Sequence, residues 1–222
     1  MSRKHKECWE EINGRELEEE QKIKGILSNI VPRSRTVSNH IAVAGGAALR
    51  WYQREMSVGP YWEDRHADVD VFVTGDYGRS ETFFPFVNKC IDTLLRNDEV
   101  IEAIEQTWNN YVYPGIQVAI VNIKIQGVDR TLSFIQGMFD QNIREVVDRF
   151  DINICKVIYY IHEQRFELSK EVSRCIESGR GLVCLKTYER DSIGQRLYQI
   201  KLKRTNERMR KYRNRGFNLE WK

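Results

Sequence analysis

The feature that most constrains the fold is a short apolar stretch that carries two acidic side chains, Ala67-Asp-Val-Asp-Val-Phe-Val73. Such a stretch is typical of a buried strand. Side chains two residues apart on a strand point to the same face, so Asp68 and Asp70 project together while Val69 and Val71 face the opposite, apolar side. Two adjacent carboxylates repel each other unless a cation lies between them. The stretch therefore predicts either a metal-binding pair or two solvated carboxylates on an edge strand.

A second apolar segment, His40-Ile-Ala-Val-Ala44, runs into Gly45-Gly46 and then into a helical pattern over residues 47–54. Glycines at a strand-to-helix junction let backbone N–H groups approach an anion closely, and the helix N-terminus adds partial positive charge. Gly45 and Gly46 are therefore a candidate phosphate-binding turn, with a plain tight turn as the alternative. The Lys-Ser/Thr ending of a P-loop does not follow, which disfavours that class of ATPase. Arg50 lies one turn into the helix, where it would either reach a phosphate or form a salt bridge on the helix surface.

A third segment, Phe150-Asp-Ile-Asn-Ile154, repeats the alternation of apolar and polar residues. It predicts a strand that begins at Phe150 and runs to about Tyr159. Asp151 would then lie beside the two carboxylates of the first stretch if the two strands are neighbours. A carboxylate at a sheet edge or at a helix cap is the alternative interpretation of Asp151.

The remaining patterns predict an α/β (α+β) fold, in which a mixed β-sheet is flanked by helices. We expect helices over 7–30, 83–96, 98–108 and 141–149, a strand hairpin over 117–126 and 131–136, and mostly helix after about residue 167. The predicted organisation is a helical segment over 1–35, a core over 36–165, and a helical, basic region over 166–222.

Charge is unevenly distributed along the chain, although its net charge is only +3. Residues 196–222 hold ten Lys and Arg side chains against two Glu side chains, a local charge of +8, whereas the stretch from Glu7 to Glu20 is acidic. This asymmetry predicts a nucleic-acid partner for the basic segment 196–215, or an acidic surface of the protein that pairs with it. A merely solvated basic helix is the third interpretation.

The sequence predicts a cytosolic protein without a membrane-spanning segment. Its longest apolar runs are far shorter than a bilayer span, and the N-terminus lacks the apolar core of a signal peptide. Five scattered cysteines without a close pair argue against a disulfide framework or a zinc site.

The stretch Val43-Ala-Gly-Gly-Ala-Ala-Leu-Arg50, followed about twenty residues later by Asp68-Val-Asp70, resembles the signature of the DNA polymerase β-like nucleotidyltransferases. In that superfamily Gly-Gly or Gly-Ser opens a helix, two carboxylates follow on an apolar strand, and a third carboxylate lies on a later strand, which Asp151 matches. Small bacteriophage and large-DNA-virus members are similar in their Phe-Asp strand and in a basic ending like residues 211–217. CCA-adding enzymes and poly(A) polymerases have an Asp after the arginine that Arg50 matches, and its absence here argues against a tRNA-terminus activity.

The resemblance implies transfer of a nucleoside monophosphate from an NTP such as ATP to a hydroxyl acceptor, for example an RNA 3′ end, with release of pyrophosphate. It implies Mg²⁺ or Mn²⁺ held by Asp68 and Asp70, with Asp151 binding the metal that activates the attacking hydroxyl. Gly45-Gly46 and Arg50 would bind the triphosphate. A viral or phage protein would act in the host cytoplasm.

Two functions stay open at this point. One is an active nucleotidyltransferase, and the other is a catalytically inactive protein of the same fold that binds RNA, a nucleotide or a protein. Concentrated, unpaired carboxylates favour the enzyme, because a binding module gains nothing from them. The acceptor, the preferred NTP and the oligomeric state cannot be read from the sequence.

Overall fold

The computed structural model describes residues 3–33, 37, 39–60, 62, 68–109, 118–137, 141–185 and 192–222. Its helices are α1 (Arg3–Ile30), α2 (Gly46–Met56), α3 (Ser80–Arg96), α4 (Ile143–Val147), α5 (Lys170–Glu177) and α6 (Ser192–Asn214). Its strands are β1 (Ile41–Ala44), β2 (Val69–Val73), β3 (Ile101–Asn109), β4 (Val118–Ile125), β5 (Leu132–Gln136), β6 (Ile158–Tyr160), β7 (Arg165–Glu167), β8 (Arg180–Val183) and β9 (Asn218–Trp221). Short 3-10 turns span Gly75–Gly78 and Asn153–Cys155.

Seven of the described strands form one mixed sheet in the order β3-β4-β5-β2-β1-β6-β7. β2 and β5 are parallel, and the other neighbouring pairs are antiparallel. β8 and β9 form a separate, parallel two-stranded sheet. The predicted fold class, a mixed sheet flanked by helices, is confirmed.

The two faces of the sheet bury different amounts of apolar surface. Val69, Val71 and Val73 are fully buried in the larger core, together with side chains of α1, α2 and α3. Phe72 lies on the other face, in a smaller apolar cluster that includes side chains of α4. Because side chains alternate along β2, Asp70 also lies on this second face. The weaker covering of this face leaves room for a cavity beside Asp70.

Buried ion pairs attach α1 to α2. Arg50 Nη2 lies 2.8 Å from Glu16 Oε2, and Arg54 Nη2 lies 2.5 Å from the same oxygen. Arg54 Nη1 also lies 2.5 Å from Oε2 of Glu20. The acidic stretch of the N-terminal helix therefore neutralises arginines of α2, and the structure supplies it with partners outside the basic C-terminal segment.

The predicted helix over 98–108 is wrong, because this segment forms the edge strand β3. Ile104 pairs with Ile123 of β4, and Trp108 pairs with Ala119. The Glu, Ala and Gln residues of the segment favour a helix locally, but pairing with β4 satisfies its backbone and overrides that preference.

The predicted strand from Phe150 to Tyr159 is also wrong in its first half. Only Ile158–Tyr160 is a strand of the sheet, whereas Ile152 makes an isolated bridge to Val183 and a 3-10 turn follows it. The side chain of Asn153 accepts a hydrogen bond from the backbone N–H of Leu182 at 2.7 Å. This segment therefore pairs with the chain around β8 instead of joining β2.

The other predicted elements agree with the structure within a few residues. The predicted strands over 40–44, 131–136 and most of 67–73 and 117–126 are observed as β1, β5, β2 and β4, while Ala67 and Gln117 lie outside the described residues. The region 166–222 holds α5 and α6, as expected, but also β8 and β9. The division of the chain at residues 35 and 165 stays a prediction. Among the described residues, no helix is long and apolar enough to cross a membrane.

Replacing Glu16 by Gln is expected to destabilise the protein by about 3 kcal/mol, because two buried arginines lose their shared carboxylate. Urea denaturation measures this loss as a decrease in the free energy of unfolding. Glu18→Gln is the matched control, since Glu18 is exposed on the same helix and its replacement should change stability by less than about 0.5 kcal/mol. Equal effects of the two substitutions would contradict a stabilising role for the buried pairs.

Candidate active site

Gly45 forms the turn between β1 and α2 with φ 81° and ψ −139°, a conformation that favours glycine. A Cβ on Gly45 would lie 3.7 Å from Oδ2 of Asp70, and a Cβ on Gly46 would lie 3.2 Å from the hydroxyl of Tyr212. The predicted strand–Gly-Gly–helix junction is therefore present, and it lies directly beside one of the two predicted metal-binding carboxylates. Larger side chains would fill this space.

Asp68 and Asp70 line one cavity of about 510 Å³, together with Gly45 and Gly46. Asp70 is partly buried in the middle of the sheet face, and Asp68 is exposed at the start of the strand. Apolar side chains form another part of the wall, namely Phe72, Ile120, Ile135, Val146 and Phe150. The cavity therefore combines a carboxylate pair, a glycine turn and an apolar surface.

Burial, the largest influence, and the neighbouring charge of Asp68 together raise the pKa of Asp70 to about 7, against the opposing charges of Arg208 and Lys211. The pKa of Asp68 is also raised, mainly by burial, against the opposing charges of Lys211 and Lys124. Two carboxylates that resist ionising side by side are the electrostatic setting in which a bound cation is stabilising.

Asp151 lines the same cavity, but its carboxylate is engaged by α6. Arg208 Nη1 lies 2.7 Å from Asp151 Oδ1, and the hydroxyl of Thr205 donates a hydrogen bond to Oδ2. Among the described residues, no group of three His, Cys, Asp or Glu side chains is placed to hold a metal ion. The structure thus brings Asp151 to the predicted cavity, while its role as the third metal ligand stays a prediction.

The strands on either side of β2, β1 and β5, contain no acidic residue. Asp70 pairs with Ser133 of β5, and the hydroxyl of Ser133 donates a hydrogen bond to Oδ1 of Asn122 at 2.8 Å. Asp129 and Asp140 flank β5 in the sequence and are the other acidic residues that could approach the pair. Asp129 does not line the cavity, and Asp140 lies outside the described residues.

Arg50 does not line the cavity, because its guanidinium is buried against Glu16. Of its two predicted roles, the structure shows the ion pair, in the protein interior instead of on the helix surface. Its guanidinium also lies 5.4 Å from the ring centroid of Trp62, and that of Arg215 lies 5.2 Å from the same ring. Arg50 and Arg215 therefore both lie near the Trp62 ring, but only Arg215 lines the cavity.

Helix α6 and the residue that follows it supply most of the positive charges of the site, although they lie far from the Asp pair in sequence. Lys201, Arg208, Lys211 and Arg215 line the cavity. With Arg204 they recur at intervals of three and four residues, so that the first four follow one face of the helix and Arg215 continues that line just beyond its end. We call them the basic stripe. The spacing of these cations at three and four residues would have predicted that they share one face. Counting the charges of the segment does not reveal this.

The fold is similar to that of a solved structure, the CCA-adding enzyme of Thermotoga maritima complexed with tRNA, with a TM-score of 0.51 and 13% sequence identity. The similarity covers 90% of this chain and 38% of that chain, so the present chain spans well under two thirds of that enzyme's length. No protein-family model and no curated protein sequence matches the chain. At this level of identity the similarity shows the fold alone.

Without metal, the wild-type protein is expected to lose stability relative to Asp70→Asn as pH rises from about 4 to about 7. The native state keeps the proton of Asp70 up to about pH 7, while the unfolded chain releases it near the ordinary value of 3.8, so deprotonation disfavours folding within that interval. Urea denaturation in EDTA should show a gain of about 2 kcal/mol for the variant at pH 8 relative to pH 5.

Asp76→Asn is the control for this prediction, because the Asp76 side chain is 90% exposed. A pH dependence that Asp70→Asn shares with the wild-type protein would contradict the raised pKa of Asp70.

Proposed function

We propose that the protein is a metal-dependent nucleotidyltransferase, which transfers a nucleoside monophosphate from an NTP to a hydroxyl acceptor and releases pyrophosphate. The observation that carries this proposal is the juxtaposition of the Asp68–Asp70 pair with the Gly45-Gly46 turn in one cavity. The fold similarity to a CCA-adding enzyme supports the same reaction class.

Asp68 and Asp70 would hold Mg²⁺ or Mn²⁺, since carboxylate oxygens are ligands that these ions prefer and the pKa of both carboxyls stays raised despite the nearby cations. When bound, the metal would stabilise charge on the entering and leaving oxygens of an in-line displacement. The backbone N–H groups at Gly45 and Gly46 would bind a phosphate at the N-terminus of α2. Lys211, whose charge already acts on both carboxylates, would offset the negative charge of the triphosphate.

The basic stripe favours a nucleic-acid strand as the acceptor. From Lys201 to Arg215 it extends over about 20 Å of helix, which is longer than a triphosphate. Four of its five members line the cavity at the Asp pair, so a strand bound along it would bring one end to the proposed metal-binding carboxylates. The structural neighbour is complexed with tRNA, which fits this acceptor class. The missing Asp after Arg50 argues against tRNA as the specific acceptor.

A second function is favoured by the contacts of Asp151. Its ion pair with Arg208 leaves two carboxylates at the predicted metal site, which is the pattern expected if the protein binds a nucleotide or RNA without catalysis. Transfer of radiolabel from each of the four NTPs to total RNA, with Mg²⁺ or Mn²⁺, separates this alternative from the enzyme.

Asp68→Asn and Asp70→Asn are each expected to reduce nucleotide transfer at least about 100-fold while the fold is retained, because each removes a metal ligand used in the transition state. The measurement is the initial rate of label transfer at saturating NTP and metal. Asp76→Asn controls for the loss of an acidic side chain elsewhere and should keep the wild-type rate. Unchanged transfer by either site variant would show that the pair is structural.

Binding of single-stranded RNA is expected to weaken steeply with salt, with a log–log slope of about −2 to −4 if three to five cations contact phosphates. Reversing Lys201 and Arg204 to Glu should make the slope shallower by at least about 1, because two phosphate contacts are lost. The matched control reverses Lys203 and Arg210, which are exposed on another face of α6 and change the net charge equally. Equal losses of RNA affinity in both double variants would contradict a role for the stripe.

A further inference from the structure

Both carboxylate oxygens of Asp151 are engaged by one turn of α6. Oδ1 lies 2.7 Å from Arg208 Nη1, and Oδ2 accepts the hydrogen bond of the Thr205 hydroxyl. Asp151 is 4% exposed and Thr205 is fully buried. We call these three residues the Asp151 clasp. A carboxylate with one oxygen in an ion pair and the other in a hydrogen bond to the same helix is oriented toward that helix.

The backbone of Asp151 is held as firmly as its side chain. Its carbonyl oxygen accepts a hydrogen bond from the backbone N–H of Cys184 at 2.8 Å, and the next residue, Ile152, bridges to Val183. Ile152 and Ile154 are fully buried. The backbone at Asp151 is therefore fixed by these contacts. To turn toward the Asp pair, the carboxylate would have to break its contacts with both Thr205 and Arg208.

Arg208 differs from Asp151 in that it also faces the cavity. Its side chain is 43% exposed, it lines the cavity, and its charge lowers the pKa of Asp70. A guanidinium carries five N–H donors in a planar fork, so one edge can bond a carboxylate while the remaining donors bind a phosphate. Arg208 also interacts with Cys155, but Asp151 is its charged partner. Removing that carboxylate would weaken the orientation of Arg208, because a long arginine side chain has many rotamers.

We propose that Asp151 is a positioning residue: with Thr205 it fixes Arg208 at the cavity wall, where Arg208 binds a phosphate of the substrate, and Asp151 does not ligate the metal. The proposal rests on the proposed function for the nature of the substrate, a nucleoside triphosphate. It assigns metal binding to Asp68 and Asp70 alone among the three predicted carboxylates.

The test uses the double variant Asp151→Asn/Arg208→Met, which keeps the net charge of the cavity. Calorimetry measures Mn²⁺ binding without nucleotide and, separately, inorganic tripolyphosphate binding in EDTA. We expect Mn²⁺ affinity within about twofold of wild type and tripolyphosphate affinity at least about tenfold weaker, because the charge-assisted hydrogen bonds of Arg208 are lost. Asp70→Asn should show the opposite pattern, with Mn²⁺ binding lost.

Three results would overturn the proposal: a loss of Mn²⁺ affinity in the double variant as large as in Asp70→Asn, unchanged tripolyphosphate binding in the double variant, or no tripolyphosphate binding by the wild-type protein. A wild-type protein that binds both probes yet transfers no nucleotide contradicts the proposed function and leaves the clasp standing. Nucleotide transfer by the wild-type protein, combined with lost Mn²⁺ binding in the double variant, contradicts the clasp alone.

A second pair of variants keeps the test valid if the double variant does not fold. Thr205→Val removes the hydroxyl that orients Asp151 without changing any charge, and Thr205→Ser retains it. Tripolyphosphate affinity should fall about three- to tenfold in the first variant, corresponding to the loss of one hydrogen bond to a charged group, and return to wild type in the second. Mn²⁺ affinity should be the same in both, and equal tripolyphosphate affinities would overturn the proposal.

Discussion

The carboxylate of Asp70 on the weakly covered face of the sheet is the constraint on which the site depends. A carboxylate in this position must be protonated, paired with cations or bound to a metal, and its raised pKa of about 7 shows that burial prevails over its neighbours. Lys211 and Arg208 of α6 lower the pKa of Asp70, but they do not offset the effect of burial. The same residue therefore accounts for the cations of α6 that line the cavity, and for the suitability of that cavity for a divalent cation together with a polyanion.

The opposite face of the sheet contributes the apolar burial that stabilises β2. The side chains of Val69, Val71 and Val73 are buried in the larger core with side chains of α1, α2 and α3. These contacts stabilise β2 independently of its carboxylates. The ion pairs of Glu16 with Arg50 and Arg54 fix α1 on α2, and α2 begins at the glycine turn. The stability of the fold and the chemistry of the site are thus assigned to different faces of one strand.

Local pattern was enough to predict β2 and the glycine turn, because alternation and a Gly-Gly junction act within a few residues. The same reasoning failed for the strand predicted from Phe150 and for β3, where partners distant in sequence decide the secondary structure. Phe150-Asp-Ile-Asn-Ile154 alternates like a strand of the sheet, yet Ile152 pairs with Val183. The approach of Arg208 to Asp70 depends on how α6 packs, which no local periodicity encodes. Arg50 shows the intermediate case, since its two predicted roles could be separated only by locating Glu16.

The position of α6 has a consequence for synthesis on the ribosome. Chains emerge from the N-terminus, and the sheet from β1 to β7 is complete in sequence by Glu167, whereas the cations that α6 brings to the cavity begin at Lys201. A nascent chain can therefore form the sheet and the carboxylate pair before it possesses the wall that faces them. During that interval Asp68 and Asp70 are exposed to solvent on the side that the cations of α6 later face. The last helix closes the cavity only after most of the fold has been translated.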